Sequence, residues 1–285
     1  MVQPTTPKDL SISFPPLSVM RARVTYRLLE ATTLPPYKGA LLRGGFGYAF
    51  QRIACPSSCW GRAEACPTTL LCPYRWVFET PHPAGIPHLH DLQDVPRPFV
   101  IEPPLDHQRQ YAAGASLEFG LILIGRGIDY VPYFLLGFAQ LGATGLGRDL
   151  APTRLERVEV LEPFQPVGTP IYQDGRVLEL PELPCLNLAE LPVRAAALPA
   201  DLRLTFHTPL RVKARGAFIE SFDLGAVVQA ICWRIGALST FHGAGLCYIC
   251  DSYRSVSKEN RCLRISTTHL PLLVVWPFRT RLIRR

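Results

Sequence analysis

Four cysteines lie within a single 18-residue segment of this 285-residue chain. The segment carries Cys55, Cys59, Cys66 and Cys72. Four thiolates can enclose one tetrahedral zinc ion, and such a closed shell leaves no coordination position for a substrate. We therefore predict a structural Zn²⁺ and expect no catalytic metal. Two disulfides, or one disulfide with two buried thiols, are the alternatives, as is a shell that includes His82, His88 or His90.

The net charge of +7 does not by itself identify a nucleic-acid partner. Residues 253–285 hold eight Lys or Arg and one Glu, which gives +7, so residues 1–252 sum to zero. Partners must therefore be judged from local patches of charge. Residues 1–10 lack the apolar core of a secretory signal, and one proline and four glycines interrupt the longest uncharged stretch, 130–147. We expect a cytoplasmic protein without membrane attachment, in which disulfides are rare.

Three patterns place side chains or backbone amides where they can bind phosphate. Basic residues alternate along the first predicted strand and again near position 212, and a glycine-rich loop runs from Gly142 to Arg148. Successive backbone N–H groups of such a loop can surround an anion. A plain turn and solvent-exposed strand faces are the alternatives. The candidate RNA-binding residues in these patterns are Arg21, Arg23, Gly145, Gly147, Arg148, Arg211 and Lys213, and Arg43 in the first predicted helix is a further candidate.

Hydrophobic periodicity predicts the elements that must position these residues. Residues 21–28 alternate between apolar and polar side chains, which indicates a half-buried strand with a basic outer face. Leu42, Phe46 and Phe50 recur at helical spacing. We also predict a helix at 128–141 and strands at 74–80, 99–102, 117–124 and 154–161.

The resulting order is typical of a ferredoxin-like (RRM-like) α+β domain. This first domain is expected to span residues 18–165 and to carry the zinc-binding cysteine insertion at 55–73. A linker with short hairpins follows at 166–200. Alternation around Leu204 and a following amphipathic helix repeat the opening strand–helix step. Residues 201–246 are therefore predicted to begin a second, incomplete domain, which makes two ferredoxin-like domains in tandem.

The sequence changes character after about position 246. Residues 247–285 lack a clear period and end in a basic run, and we expect them to form an aberrant or poorly ordered tail. A truncated or frame-shifted gene would explain the change in both pattern and charge. The other reading frames of the coding DNA test this hypothesis, because one of them should then continue the second domain.

Several segments together resemble the CRISPR-associated precursor-RNA processing endoribonucleases of the RAMP superfamily. The resemblance is strongest to the subgroup with a cysteine cluster after the first helix, and it covers about residues 20–245. The order and spacing of the motifs carry it. The motifs are Leu34-Pro-Pro-Tyr-Lys-Gly with Leu42-Arg-Gly-Gly-Phe-Gly, Cys72-Pro-Tyr with Phe78-Glu, Gly125-Arg-Gly-Ile-Asp-Tyr-Val-Pro-Tyr133, Gly145-Leu-Gly-Arg148 and Phe206-His-Thr-Pro-Leu-Arg-Val-Lys213.

The resemblance implies two ferredoxin-like domains that bind CRISPR repeat RNA and cut the precursor crRNA once, with other CRISPR effector subunits as possible further partners. It also implies a metal-independent reaction, in which a 2′-hydroxyl attacks the adjacent phosphate and leaves a cyclic phosphate. Such a reaction needs a general base, a cation or N–H group for the phosphate, and an acid for the leaving oxygen.

The catalytic candidates are Tyr37, Lys38 and Tyr48, with Lys38 or Arg43 directed at the phosphate. Similar sequences often carry a histidine in or near the first helix as the base, whereas this chain has Tyr48 there and no histidine before His82. Tyrosine, with a usual pKa near 10, is a weak base at neutral pH. A non-cleaving guide-RNA-binding subunit, a degenerate inactive enzyme and a zinc-dependent nuclease are therefore the competing hypotheses.

Overall fold

The computed structural model of the protein describes residues 16–59, 72–80, 95–178, 182–199, 204–207, 210–214 and 216–243. Several predictions concern residues outside these ranges. They are the predictions for Cys66, for His82, His88 and His90, for the alternation at Leu202 and for the tail 247–285.

A mostly antiparallel sheet with helices packed against it forms the body of the protein, so the predicted α+β class is confirmed. The main sheet contains β1 (Ser18–Leu28), β3 (Phe99–Glu102), β5 (Ser116–Ile124), β6 (Thr153–Leu161), β7 (Gly168–Gln173), β8 (Arg176–Val177) and β9 (Leu186–Asn187). The spatial order is β3-β5-β1-β6-β7-β8, and β9 pairs with the beginning of β1.

Two short strand pairs, five α-helices and three 3₁₀ helices (Ser57–Cys59, Gly125–Tyr130 and Leu188–Glu190) complete the described secondary structure. The pairs are β2 (Thr32–Thr33) with β4 (Gln110–Tyr111) and β10 (Lys213–Ala214) with β11 (Ala217–Phe218). The helices are α1 (Gly39–Ala54), α2 (Pro73–Phe78), α3 (Val131–Thr144), α4 (Leu191–Ala196) and α5 (Leu224–His242).

Strand β1 is central because it hydrogen-bonds to β5 along one edge and to β6 along the other. Its alternate side chains point to opposite faces of the sheet, as period-two geometry requires. Val24 and Tyr26 are fully buried beneath the helices, whereas Arg23 and Arg27 lie on the other face, where they pair with carboxylates of β6. The predicted half-buried strand with a basic outer face is thus confirmed.

Helices α1 and α3 cross the buried face of the sheet in close contact with each other. Glycine makes this approach possible: a Cβ at Gly45 of α1 would lie 2.7 Å from Leu141 Cδ1, and a Cβ at Gly137 of α3 would lie 2.9 Å from Phe46. Packing thus accounts for Gly45. Gly44 faces open space, and no such constraint explains it.

Phe46 lies at the centre of the aromatic core between α1, α3 and the sheet. Its ring stacks on Phe134 with centroids 5.2 Å apart and approaches Phe138 to 4.4 Å. It also contacts the rings of Phe50, Phe78 and Phe99. Offset and edge-to-face contacts of this kind add to the hydrophobic stabilisation from burial.

The strand predicted for residues 74–80 is wrong, because the structure has helix α2 there. Pro73 occupies the first turn, where its missing N–H costs no helical hydrogen bond. Tyr74 and Phe78 are four residues apart, and their rings stack at 5.0 Å. Burial of Val77 and Phe78 against the aromatic core fixes the segment as a helix, although its aromatic and β-branched residues favour a strand.

The segment expected as a linker contributes strands to the main sheet. Strand β7 pairs with β6, and β8 folds back onto β7 as a hairpin. Asn187 of β9 pairs with Ser18 at the start of β1. The sheet therefore continues well beyond residue 165.

The C-terminal part of the described chain consists of α5 and the β10–β11 hairpin. The second half of α5 packs on the first unit, which consists of the main sheet with α1 and α3. Leu238 and Phe241 are buried there, and the His242 Nε2 donates a hydrogen bond to the Pro96 carbonyl at 2.7 Å. The first half of α5 packs on the hairpin around Val212. The strand predicted around Leu204 is not formed, because residues 204–207 have no regular structure and exposed side chains.

Helix α5 is long and apolar enough to cross a membrane when judged by length and composition alone. Part of it is buried against the first unit, and buried core helices of soluble proteins meet the same criterion. The prediction that the protein has no membrane attachment remains untested.

The aromatic core gives a first test of this fold. Replacing Phe46 by Ala should lower the free energy of unfolding by about 3–5 kcal/mol, because a central ring is lost and a cavity remains. Tyr48→Ala on the same helix is the matched control. Its side chain is 72% exposed, so a change within about 0.5 kcal/mol is expected. Equal losses for the two variants in urea denaturation would contradict this assignment of the core.

Candidate functional site

The segment that leads into α1 carries an ammonium group fully removed from solvent. Pro35 and Pro36 precede Lys38, the residue at the N-terminal boundary of the helix. The Lys38 side chain is 0% exposed. A buried cation at a helix N-terminus is unfavourable both through desolvation and through the helix dipole, so its partner is structurally important.

That partner is Asp106, which comes from the loop between β3 and β4. Its Oδ1 lies 3.2 Å from the Lys38 Nζ. The same oxygen accepts a hydrogen bond from the backbone N–H of Gln108. The first turn of α1 contains no acidic residue of its own, so Asp106 supplies the negative charge that this helix end favours. One carboxylate therefore joins the start of α1 to the loop.

Further contacts hold the loop against the first strands. The Leu34 N–H donates to the Arg109 carbonyl at 2.8 Å, and Thr33 pairs with Gln110. Lys38 also faces the ring of Tyr111, 5.7 Å from its centroid. Burial raises the pKa of the Tyr111 hydroxyl, and the nearby ammonium opposes this with a smaller effect.

An open groove of about 610 Å³ lies along this loop. It is lined by Thr33, His107, Gln108, Arg109 and Gln110. These lining side chains provide a hydroxyl, two amides, an imidazole and a guanidinium, and none of them is acidic. Such a set suits an anionic ligand.

The glycine-rich loop forms a tight turn that abuts the same region. Gly147, with φ +80°, would bring a Cβ to 3.0 Å from Leu34. Leu146 and Ala151 exchange both backbone hydrogen bonds, and the Gly145 N–H donates to carbonyls at the end of α3. These amides therefore cannot bind a phosphate, which favours the plain-turn interpretation for Gly145. Arg148 is exposed at the tip of the turn.

The structure does not bring the three catalytic candidates together. Tyr37 is exposed and its ring lies over Gly39, where a Cβ would come within 3 Å of it. Tyr48 is also exposed. It lies about 13 Å further along the helix than Gly39, because each residue adds a rise of about 1.5 Å. Lys38 is buried and committed to Asp106. A single reacting phosphate cannot contact this set.

Arg43 lies on another side of α1 and stacks on aromatic rings. Its guanidinium is 4.9 Å from the Phe78 centroid and 4.6 Å from the Phe99 centroid. Burial, with a further contribution from the charge of Arg97, lowers its pKa. This arrangement makes Arg43 a packing residue at the edge of the aromatic core.

The predicted RNA-binding residues of β1 lie in a charged sheet face. Arg21 pairs with Glu102 at 2.9 Å, and Arg23 pairs with Glu159 at 3.7 Å. Exposed ion pairs contribute only about 0–1 kcal/mol each. These carboxylates offset the arginine charges, so the face offers little unbalanced positive charge.

Arg211 and Lys213 flank one aromatic ring on the C-terminal part of the chain. The Arg211 guanidinium lies 3.8 Å from the Phe218 centroid, and the Lys213 ammonium lies 5.2 Å from it. Both side chains are exposed and remain candidates for contact with a polyanion.

The cysteine cluster is seen only in part. Cys55 follows α1 and Cys72 precedes α2, and their sulfurs are 3.7 Å apart, which exceeds the length of about 2.05 Å for a disulfide bond. Within the described ranges, no group of three or more His, Cys, Asp or Glu residues could hold a metal ion. Cys66 lies outside those ranges.

Sequence reasoning missed His107 and Arg109 as site residues. They lie in a proline-containing loop without periodicity, which long-range contacts such as the Lys38–Asp106 ion pair and the Leu34–Arg109 hydrogen bond bring to the start of α1. The motif Leu34-Pro-Pro-Tyr-Lys-Gly lies beside the groove, but its own side chains are not those that line it.

Fold and groove together describe an α+β protein with a polar groove, suited to an anion, beside its first helix. A family model for the N-terminal domain designated AF_1859_N matches residues 16–183, more than half of the chain. The chain belongs to this family. The match contains the main sheet through β8 and the groove, whereas β10, β11 and α5 lie beyond it.

One similar protein is an uncharacterized protein of Archaeoglobus fulgidus. It is 23% identical over 180 residues, which cover 63% of this chain and 57% of the relative. The chain therefore spans somewhat more than half of the length of that relative.

The ion pair at the start of α1 can be tested directly. Asp106→Asn leaves Lys38 buried without a counter-charge, and we expect a loss of unfolding free energy of about 1.5 kcal/mol or more. Hydrogen exchange of residues 104–111 should accelerate as well. Asp149→Asn, an exposed carboxylate in the glycine turn, is the control, and an equal effect there would rule out a specific role for Asp106.

Proposed function

We propose that this protein binds RNA and cuts it without a metal ion, as the resemblance to CRISPR-associated precursor-RNA processing enzymes implies. Repeat RNA of a precursor crRNA is the proposed substrate, and the cytoplasm the proposed location. The observation that carries the proposal is the convergence of three distant segments. The start of α1, the loop at 106–110 and the glycine turn meet around Leu34.

The topology of the first unit supports the ferredoxin-like part of this proposal. Along the chain β1, α1, β3, β5, α3 and β6 give the order strand, helix, strand, strand, helix, strand. Their antiparallel strands lie in the spatial order β3-β5-β1-β6, and both helices pack on one face. This is the split βαβ pattern of that fold. We further propose that the β10–β11 hairpin and α5 begin a second unit of the same type.

A structural zinc ion at the cysteine cluster belongs to the same proposal. Four sulfurs at about 2.3 Å from a tetrahedral zinc would be about 3.8 Å from one another. The separation of 3.7 Å between the Cys55 and Cys72 sulfurs fits this spacing. We propose Cys59 and Cys66 as the other two ligands, which would fasten the segment between α1 and α2.

Metal analysis tests the zinc site. Purified protein should contain about one zinc per chain by mass spectrometry of the intact protein and by elemental analysis. Cys59→Ser and Cys72→Ser should lose the metal and lower the melting temperature. Cys185→Ser, at a half-buried thiol outside the cluster, is the matched control. Zinc-free wild-type protein, or metal loss with an unchanged melting temperature, would contradict a structural site.

A non-cleaving RNA-binding subunit is the second candidate function. The specific observation in its favour is the separation of Tyr48 from Tyr37 together with the burial of Lys38. If the reaction depended on those three residues, the protein would bind RNA and leave it intact. The third possibility, a degenerate gene product, predicts neither binding nor cleavage.

Incubation with repeat RNA in EDTA separates these functions. The probe is a 5′-labelled CRISPR repeat RNA, and its 2′-deoxy analogue at the cut nucleotide is the control. We expect a single cut, a cyclic phosphate end by mass spectrometry, and no cleavage of the analogue. Binding without cleavage would support the subunit, and cleavage that chelators abolish would support a zinc-dependent nuclease.

A further inference from the structure

We infer that the groove beside α1 holds the reacting phosphate of the RNA, with Arg109 as its cation and His107 as the proton acceptor. This inference rests on the proposed function and moves the reaction centre away from Tyr37, Lys38 and Tyr48.

The composition of the groove is the first argument. Its lining residues offer the charged or ionisable side chains His107 and Arg109 and the neutral groups of Thr33, Gln108 and Gln110. The nearby carboxylate of Asp106 is bound to Lys38 and to the Gln108 N–H, so its charge is already compensated. A phosphodiester can therefore enter without facing an unpaired anion.

The fixed shape of the groove is the second argument. The loop is tied to the body of the protein by the Lys38–Asp106 pair, by the Leu34–Arg109 backbone hydrogen bond and by β2–β4 pairing. Gln108 Nε2 also donates to the Gln110 carbonyl at 3.0 Å. A backbone held in this way loses little conformational entropy when the ligand binds, which favours both affinity and catalysis.

Lys38 therefore acts as a positioning residue in this arrangement. Its ammonium is enclosed and cannot meet the RNA, but it orients Asp106 and through it the backbone at Gln108. The residues on either side of Gln108 are His107 and Arg109. The motif Leu34-Pro-Pro-Tyr-Lys-Gly thus contributes to the site by shaping the loop opposite.

The chemical step balances with these groups. The 2′-oxygen forms a bond to phosphorus while its proton passes to the imidazole of His107. The bond between phosphorus and the 5′-oxygen breaks, and that oxygen takes a proton from water. The hydroxide that remains takes up the proton held by the His107 imidazolium, so both charges are neutralised. Arg109 stabilises the negative charge that develops on the phosphate. Histidine can accept a proton near neutral pH, whereas the tyrosines considered above are weak bases there.

Paired substitutions on the full chain test the inference. His107→Ala should slow cleavage of the repeat RNA by about 10²-fold or more, and binding should change less than threefold. His207→Ala, at another exposed histidine, should cleave at the wild-type rate. His107→Gln should also fail to restore activity, and added imidazole should partly rescue His107→Ala but not Arg109→Ala.

A binding measurement tests Arg109 independently of cleavage. With a fluorescent 2′-deoxy-blocked repeat RNA, Arg109→Ala should weaken binding and reduce the slope of log K against log[salt] by about 0.7, the value for one phosphate contact on a single strand. Arg176→Ala on the exposed edge strand β8 is the control, and its slope should equal that of the wild type.

The possible outcomes distinguish this inference from the proposed function. Cleavage by the wild type that persists in His107→Ala, or a salt slope unchanged in Arg109→Ala, overturns the assignment of the groove and leaves the RNA function standing. A wild-type protein that binds RNA without cutting overturns the role of His107. Absence of RNA binding overturns the proposed function and this inference together.

Discussion

The pairing of β1 on both of its edges is the constraint on which the rest of the structure depends. A strand bonded on both sides must send alternate side chains to opposite faces of the sheet. Tyr26 is thereby buried beneath the helices, where its hydroxyl donates to the Phe138 carbonyl at 2.7 Å. Arg21 and Arg23 are placed on the other face. The aromatic core and the charged sheet face are therefore two consequences of one register.

The sheet determines where the helices pack, and the position of the helices determines where the groove lies. The ring of Phe46 fixes α1 over β3 and beside α3, which sets where the N-terminal end of α1 emerges. At that end the buried Lys38 requires a counter-charge, and Asp106 meets this need by drawing its loop against the helix. The Lys38–Asp106 ion pair thus joins the β2–β4 pairing and the Leu34–Arg109 hydrogen bond in fixing a loop that has no secondary structure around Asp106.

The sequence predicted the parts of the fold that follow from periodicity. The alternation at Arg21–Leu28 and the helical spacing of Phe46 and Phe50 indicated β1 and α1 correctly. The prediction of a strand at Tyr74–Phe78 was wrong, because tertiary packing there overrides strand propensity. The sequence also could not place His107, because the ion pair that positions this residue joins partners 68 positions apart. The periodicity of neighbouring residues gives no information about a contact between such distant positions.

The burial of Lys38 changes how the predicted site is interpreted. A charged side chain near a helix start is commonly taken to face its ligand, yet the Lys38 side chain is fully enclosed. This buried ammonium cannot contact an external anion unless the helix end opens, and its charge is offset by Asp106. His107 and Arg109 lie in the same loop as Asp106 and are exposed to solvent, and their side chains are an imidazole and a guanidinium. Under the proposal, the loop therefore supplies the reacting groups at this end of α1, with Lys38 as its support.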